Sequence, residues 1–192
     1  MPLTVATGTL LGAQSCGGSA PSPIPTAPSA PASNVSCGVE RWSVKTLSDI
    51  DATRVEVANV IPNTIASLNG FTQHCSSLPE ARTFAEEFRV YEVVGTVQLT
   101  RNEDDHDVHI ALADPNEPAR TIVVEVVDPA CASASSLLTT LSNAKLQYQS
   151  LGSLTGRTVR VRGVGFYDFA HGQTGRSQSC IELHPVLSIT TP

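Results

Sequence analysis

A mainly β fold, an irregular N-terminal lobe followed by a small five-stranded barrel carrying one helix, is what the sequence predicts, and three observations predict it. From residue 88 onward, five separate runs alternate apolar with polar side chains, the spacing of half-buried strands. Between the third and fourth runs, apolar residues recur at spacings of three and four, as on one face of a helix. Gly163 and Gly165 interrupt the fourth run, and a closed barrel needs a bulge or sharp bend at such a corner.

The chain has 192 residues, 41% hydrophobic and 16% charged, enough for one domain and a tail. Residues 1–39 contain no charged side chain, the first being Glu40, and that change of composition marks a boundary. Three segments follow: a signal-like stretch at 1–16, a Pro/Ala/Ser linker at 17–36 and a barrel domain at 37–192. The linker carries Pro21, Pro23, Pro25, Pro28 and Pro31, which favour extended polyproline II and leave too little apolar surface to offset ordering entropy, so disorder is expected. No run of about 18 apolar residues occurs, so a spanning helix is not expected.

In the lobe, Trp42, Val44 and Thr46 alternate, residues 62–68 are compatible with one more short strand, and residues 77–86, with Pro79 and Glu80 early, are compatible with a short helix. The first barrel strand runs through Tyr91, Val93, Val97 and Leu99; the second through Val108, Ile110 and Leu112; the third through Ile122, Val124 and Val126. Leu137, Leu138, Leu141, Ala144 and Tyr148 define the helix, closed near Gly152 and preceded by Ser135 and Ser136, which are suited to capping. Val159 and Val161 open the fourth strand; Ile181, Leu183, Leu187 and Ile189 form the fifth. Pro185 suggests limited edge pairing there. Three strands, a helix and two strands is the element order of the OB fold, a five-stranded Greek-key barrel.

Apart from Cys16, the cysteines are Cys37, Cys75, Cys131 and Cys180, an even number without a CxxC pair. Two disulfides in an exported chain are expected, with Cys37 to Cys75 and Cys131 to Cys180 the favoured pairing of three.

On an OB barrel, residues 101–106 and 170–179 would form the two loops at the rim of the usual ligand face. Four of the five histidines, His106, His109, His171 and His184, fall on or beside them. Asp107 with His109, and Glu182 with His184, are i, i+2 pairs that project from one face of each strand. With Glu125 from the third strand and His171 from the loop, they are the candidate ligand or metal site, and Asp168 joins it if the glycine bulge sets its phase. Imidazole with carboxylate suits zinc or another divalent first-row metal. The alternative is a solvated strand face with a charged hairpin loop at Glu103, Asp104 and Asp105.

Other motifs do not hold. Gly163-Val164-Gly165 lacks the strand, turn and helix of a dinucleotide site, and no GxSxG occurs. Eighteen acidic against twelve basic residues, a net charge of −6, disfavour a nucleic-acid partner. Arg157, Arg160 and Arg162 form the one basic stripe and read as paired surface charge.

An apolar run at residues 3–13, small residues, Cys16 and a spacer resemble a bacterial lipoprotein signal, although Ala13 stands where that pattern has leucine. The resemblance implies export and a lipid anchor on Cys16; a non-cleaved N-terminus with an incidental cysteine is the alternative. Residues 40–46 (ERWSVKT), 103–114 (EDDHDVHIALAD), 166–175 (FYDFAHGQTG) and 181–186 (IELHPV) resemble an uncharacterised family of bacterial domains expected to be exported, which implies no particular activity. The expected function is an envelope-tethered or secreted binding module, monomeric, with an unknown ligand or envelope protein as partner. A metal-dependent hydrolase of phosphodiesterase or nuclease type, using the His/Asp/Glu cluster, is the competing class.

Overall fold

A closed barrel is formed by five strands, β2 (Val90–Asn102), β3 (Val108–Ala113), β4 (Thr121–Val126), β5 (Thr158–Tyr167) and β6 (Ile181–Thr190). The computed structural model describes residues 1–4 and 37–192. The chain divides into residues 1–33 and one compact unit of residues 34–192. Cys16, the linker and most of the signal-like segment lie outside the described residues.

Neighbours around the barrel run β2, β3, β4, β6, β5 and back to β2, antiparallel except for the parallel β4–β6 contact. With α3 (Leu138–Leu151) between β4 and β5, this is the OB-like topology that the element order predicts. Closure depends on the length of β2. Its first half, Val90 to Thr96, pairs with β5; its second half, Thr96 to Asn102, pairs with β3; a register shift between Val97 and Leu99 re-aims the strand.

The predicted irregularity in the fourth barrel strand is present. The β5–β6 register shifts at Gly163 and again between Gly163 and Gly165. A Cβ at Gly163 would stand 2.7 Å from Leu183 Cβ, and one at Gly165 would strike the Glu86 carbonyl, so the two positions admit close approach by β6 and the lobe. Pro185 does not guard an edge, because β6 is paired on both sides; it follows a cis His184–Pro185 bond within the irregular stretch.

Alternate residues fill the barrel: Val93, Val97, Ile110, Leu112, Val124, Val159, Val161, Leu183 and Ile189 are all buried in one cluster. Each such side chain contributes roughly 1.5–3 kcal/mol by leaving water. Helix α3 adds Ala144 to that cluster and packs mainly on β6. The expected serine cap is not made: the N-cap is Leu137, without a side-chain cap, and Ser135 Oγ accepts from Leu137 N–H at 3.2 Å in the turn before the helix, whose end Gly152 sets at φ 66°. The arginine stripe is engaged: Arg160 and Arg162 bind Glu92 at 2.7 and 2.6 Å across β2–β5, and Arg157 donates to the Leu151 carbonyl at 2.6 Å.

The lobe departs from expectation. Residues 42–46 are not a strand: Trp42–Lys45 is a helical turn, α1, that buries Val44, and four residues are too few for the helix and strand periods to be told apart in sequence. Residues 62–68 split into β1 (Val60–Pro62), parallel to β2, and α2 (Ile65–Asn69), whose first turn is capped by Thr64 Oγ1 accepting from Ser67 N–H. Residues 77–84 are irregular, and the only helical turn nearby is the 3-10 segment Ala85–Phe88.

Two disulfides are present, but the favoured pairing is corrected to Cys37–Cys131 and Cys75–Cys180. The lobe lies along the barrel rather than clipping to itself. Trp42 Nε1 donates to the Cys131 carbonyl, bringing the lobe's start to the turn after β4, while His74 N–H donates to the Ser179 carbonyl beside β6.

Arg41 locks the lobe down. Its guanidinium pairs with Glu87 at 2.8 Å, donates to the Tyr167, Pro79 and Ala81 carbonyls, and stacks 4.6 Å above the Phe166 ring. Glu87 is fully buried, so removing its cation strands a charge. Arg41→Met is expected to lower unfolding free energy by about 3 kcal/mol or more in urea denaturation, and a loss under about 1 kcal/mol would deny Arg41 this role.

Candidate functional site

Polar side chains collect on the outer face of β3, β4 and β6. Val108, Ile110, Val124 and Leu183 point into the core, so their neighbours Asp107, His109, Glu125, Glu182 and His184 must point outward. His109 lies directly opposite Glu125, and the Val124–Leu183 pairing brings Glu125 beside His184. Nonetheless Asp107, His109, Glu182 and His184 are all no more than 2% exposed. Helix α1, residues 37–40 and the loop between β5 and β6 cover them.

What remains open is a cup of about 430 Å³. Glu103, Asp105, Glu125, Asp168 and Glu182 line it together with His109, His171, Lys45 and Arg101. Its walls come from the β2–β3 and β5–β6 loops, so it occupies the usual ligand face of an OB barrel.

Glu125 is the hub. One carboxylate oxygen lies 3.0 Å from His109 Nδ1 and the other 3.1 Å from His184 Nδ1. His184 Nε2 lies 3.4 Å from Asp107 Oδ2, and Asp107 Oδ1 accepts from Asp128 N–H at 2.7 Å. The two His184 contacts are close enough for ion pairing, but neither has hydrogen-bond geometry, and both nitrogens are buried without a hydrogen-bonding partner among the described residues. His109 Nε2 faces the Thr174 carbonyl at 2.8 Å. With an acceptor at each nitrogen, His109 is held as an imidazolium.

The charges follow from that arrangement. Burial alone would raise the Glu125 pKa, but the charge of His184 and the hydrogen bond from His109 drive it well below the carboxylate range. Burial, reinforced by Glu125 and Asp168, pushes Glu182 up to about 8. His184, which burial would make less basic, is raised to about 9 by Glu125 and Asp107. His109 is also raised, burial being outweighed by Glu125 and Thr174, and burial raises Asp107. Lys45 is raised as well: burial opposes its charge, but Asp168, Glu125 and Glu182 surround it.

All seven sequence candidates thus lie on this face or its rim, but they do not converge on one centre. Two overlapping trios have donor atoms within 4.8 Å of one another: Glu103, His109 and Glu125 toward the cup, and Asp107, Glu125 and His184 behind it. Strand twist makes Glu125 turn one oxygen to each imidazole, and Glu182 and Asp168 stand outside both trios. Among the described residues His171 ion-pairs only with Asp168, at 3.1 Å, on the half-exposed rim. His106 is exposed at the hairpin turn with φ 70°.

Sequence reasoning passed over Glu103 and Lys45. Glu103 reads as one of three acids in a hairpin, and only the closing of the hairpin aims it at His109. Lys45 reads as part of an alternating strand, and only a helical turn points it into the cup. No known protein family and no curated protein matches this chain. The fold and site define an OB-like barrel with a buried, ionised strip on the outer face of β3, β4 and β6.

The signs of the shifts set a pH profile for the metal-free protein. Glu182 has a raised pKa, so its contribution is present below about 4.5 and declines as pH rises toward about 8; His184 adds a decline between about 6.5 and 9. The depressed Glu125 acts oppositely, favouring folding above its unfolded value of 4.5. Thermal melts in chelator are expected to show Tm falling from pH 6.5 to 9, with a flatter slope in His184→Gln. A parent slope that is flat or rising across this window would refute the assignment.

Proposed function

We propose that this protein is an exported binding module, tethered to the cell envelope through Cys16, whose cup takes a small cationic ligand. One observation carries the reading: seven Asp and Glu side chains line the cup, six of them besides the protonated Glu182, against three cations, Lys45, Arg101 and the His109 imidazolium. A concave, low-dielectric surface focuses the field of such an excess and attracts cations. The volume is that of a small-molecule site, too small for a folded partner to enter. The two disulfides fit an oxidising compartment.

Binding is favoured over hydrolysis by His109. Without a metal, both its nitrogens face acceptors and carry protons, so His109 is not poised as a base. Cys37, the one cysteine in the lining, is tied in a disulfide and offers no thiolate nucleophile.

Melts at low salt with putrescine, calcium, zinc and, as the anionic control, succinate test the reading. At a hundredfold excess over Kd, a cation is expected to add about 2.7 kcal/mol of stability. Succinate should add nothing. Indifference to every cation, or a preference for the anion, would overturn it. Tethering is tested separately: acyl-chain labelling in cells should be lost in Cys16→Ser, and an unlabelled parent protein would remove the anchor.

A further inference from the structure

We infer that Glu103, His109 and Glu125 hold a divalent first-row transition metal, with zinc as its model, at the floor of the cup. This rests on the reading of the cup as a cation site and names the ion and its ligands. His109 Nδ1 lies 3.0 Å from Glu125 Oε1 and 3.7 Å from Glu103 Oε1. Ligands bound at about 2.0–2.2 Å in tetrahedral or octahedral geometry stand roughly 3–4 Å apart, so a metal ion fits between these atoms with little movement. It would replace the proton that His109 Nδ1 now shares with Glu125, and that proton passes to solvent.

Each ligand is oriented by a further group, as ligands of real metal sites are. His109 Nε2–H donates to the Thr174 carbonyl at 2.8 Å, which fixes the tautomer in which Nδ1, once it has released its proton, coordinates. Arg101 grips Glu103 at 2.7 and 3.0 Å and turns it toward His109. Behind Glu125 stands His184, fully buried, its Nδ1 3.1 Å from the second carboxylate oxygen without hydrogen-bond geometry. A buried imidazole lacking a proper partner and aimed at the cluster is hard to explain as a finished internal network. It suits a carboxylate that swings slightly to meet an ion.

The donor set also selects. Calcium and magnesium take oxygen ligands, whereas an imidazole with two carboxylates suits zinc, manganese or cobalt. Three protein ligands facing an open cup leave at least one position open to a small ligand.

Cobalt titration of the untagged, oxidised protein, read by visible d–d absorption, tests the site, with zinc competing the signal away. The parent is expected to develop the band. Glu103→Gln and His109→Ala should weaken cobalt binding at least about tenfold. Glu117→Gln, outside the cup, should bind as the parent does. Glu103 sits on a partly exposed loop, so its substitution reports on the ligand rather than on folding, and near-UV circular dichroism checks this. Cobalt binding unchanged in both variants would overturn the assignment. No cobalt or zinc binding while putrescine still stabilises the protein would overturn the metal and leave the cationic cup standing. Indifference to all of these would remove both.

Discussion

The pairing of β2 with β5 closes the barrel, and everything distinctive about the site follows from that closure. An open sheet in the order β2, β3, β4 would leave Glu125 on an edge strand. Closing it inserts β6 beside β4 in parallel, and one register pair, Val124 with Leu183, then suffices to bring His184 to Glu125. Because β2 must serve both β3 and β5, it is 13 residues long and irregular between Val97 and Leu99. The outward residues of β3, β4 and β6 meet because the inward ones fill a small barrel at close packing.

A polar strip of this kind would be ordinary if water covered it. The lobe covers it instead, and burial turns a surface pattern into an electrostatic system. Desolvating several carboxylates at once costs more than their mutual attraction to cations returns unless charges alternate. They do alternate: Asp107, His184, Glu125 and His109 follow one another, with Lys45 between Glu125, Glu182 and Asp168. Glu182 has no cation of its own at contact distance among the described residues, and the structure accommodates it by keeping its proton. The strip divides into an ionised hub and a neutral acid, set by neighbours rather than by residue type.

Strand periodicity is legible in a sequence when one face is buried and the other is not, and that is why the barrel strands from Tyr91 onward and helix α3 stand where the pattern puts them. The outward pairs, Asp107 with His109 and Glu182 with His184, follow from the same alternation. Residues 40–89 carry no comparable signal. Their order comes from long-range ties such as Arg41 to Glu87 and Arg82 to Asp49, which no local period encodes. Trp42, Val44 and Thr46 illustrate the ambiguity: four helical residues are too few for a period of 3.6 to show against a period of 2. The disulfide pairing failed for the same reason, since it depends on where the lobe crosses the barrel. Glu103 and Lys45 then enter the site by virtue of that crossing.

The crossing also explains why the cysteines sit where they do. Cys37 is itself part of the cup wall, and its bond to Cys131 fixes residues 37–40 over the face; Cys75 to Cys180 pins the other end of the lobe where the β5–β6 loop returns to the barrel. Their sequence separations are 94 and 105, so in the chain-entropy model each removes about 4–5 kcal/mol worth of freedom from the unfolded chain. Besides those bonds the lobe is held by Ile65 and Leu68, which are buried in the barrel cluster, by the β1–β2 pairing, by Arg41 and Arg82, and by a smaller apolar contact around Leu47 and Val55. A lobe that loosened would admit water to Glu125 and Glu182 and remove the cause of their split. The two disulfides therefore add to the core contacts that keep water from Glu125 and Glu182, and so help to maintain the low dielectric on which the charge pattern of the cup depends.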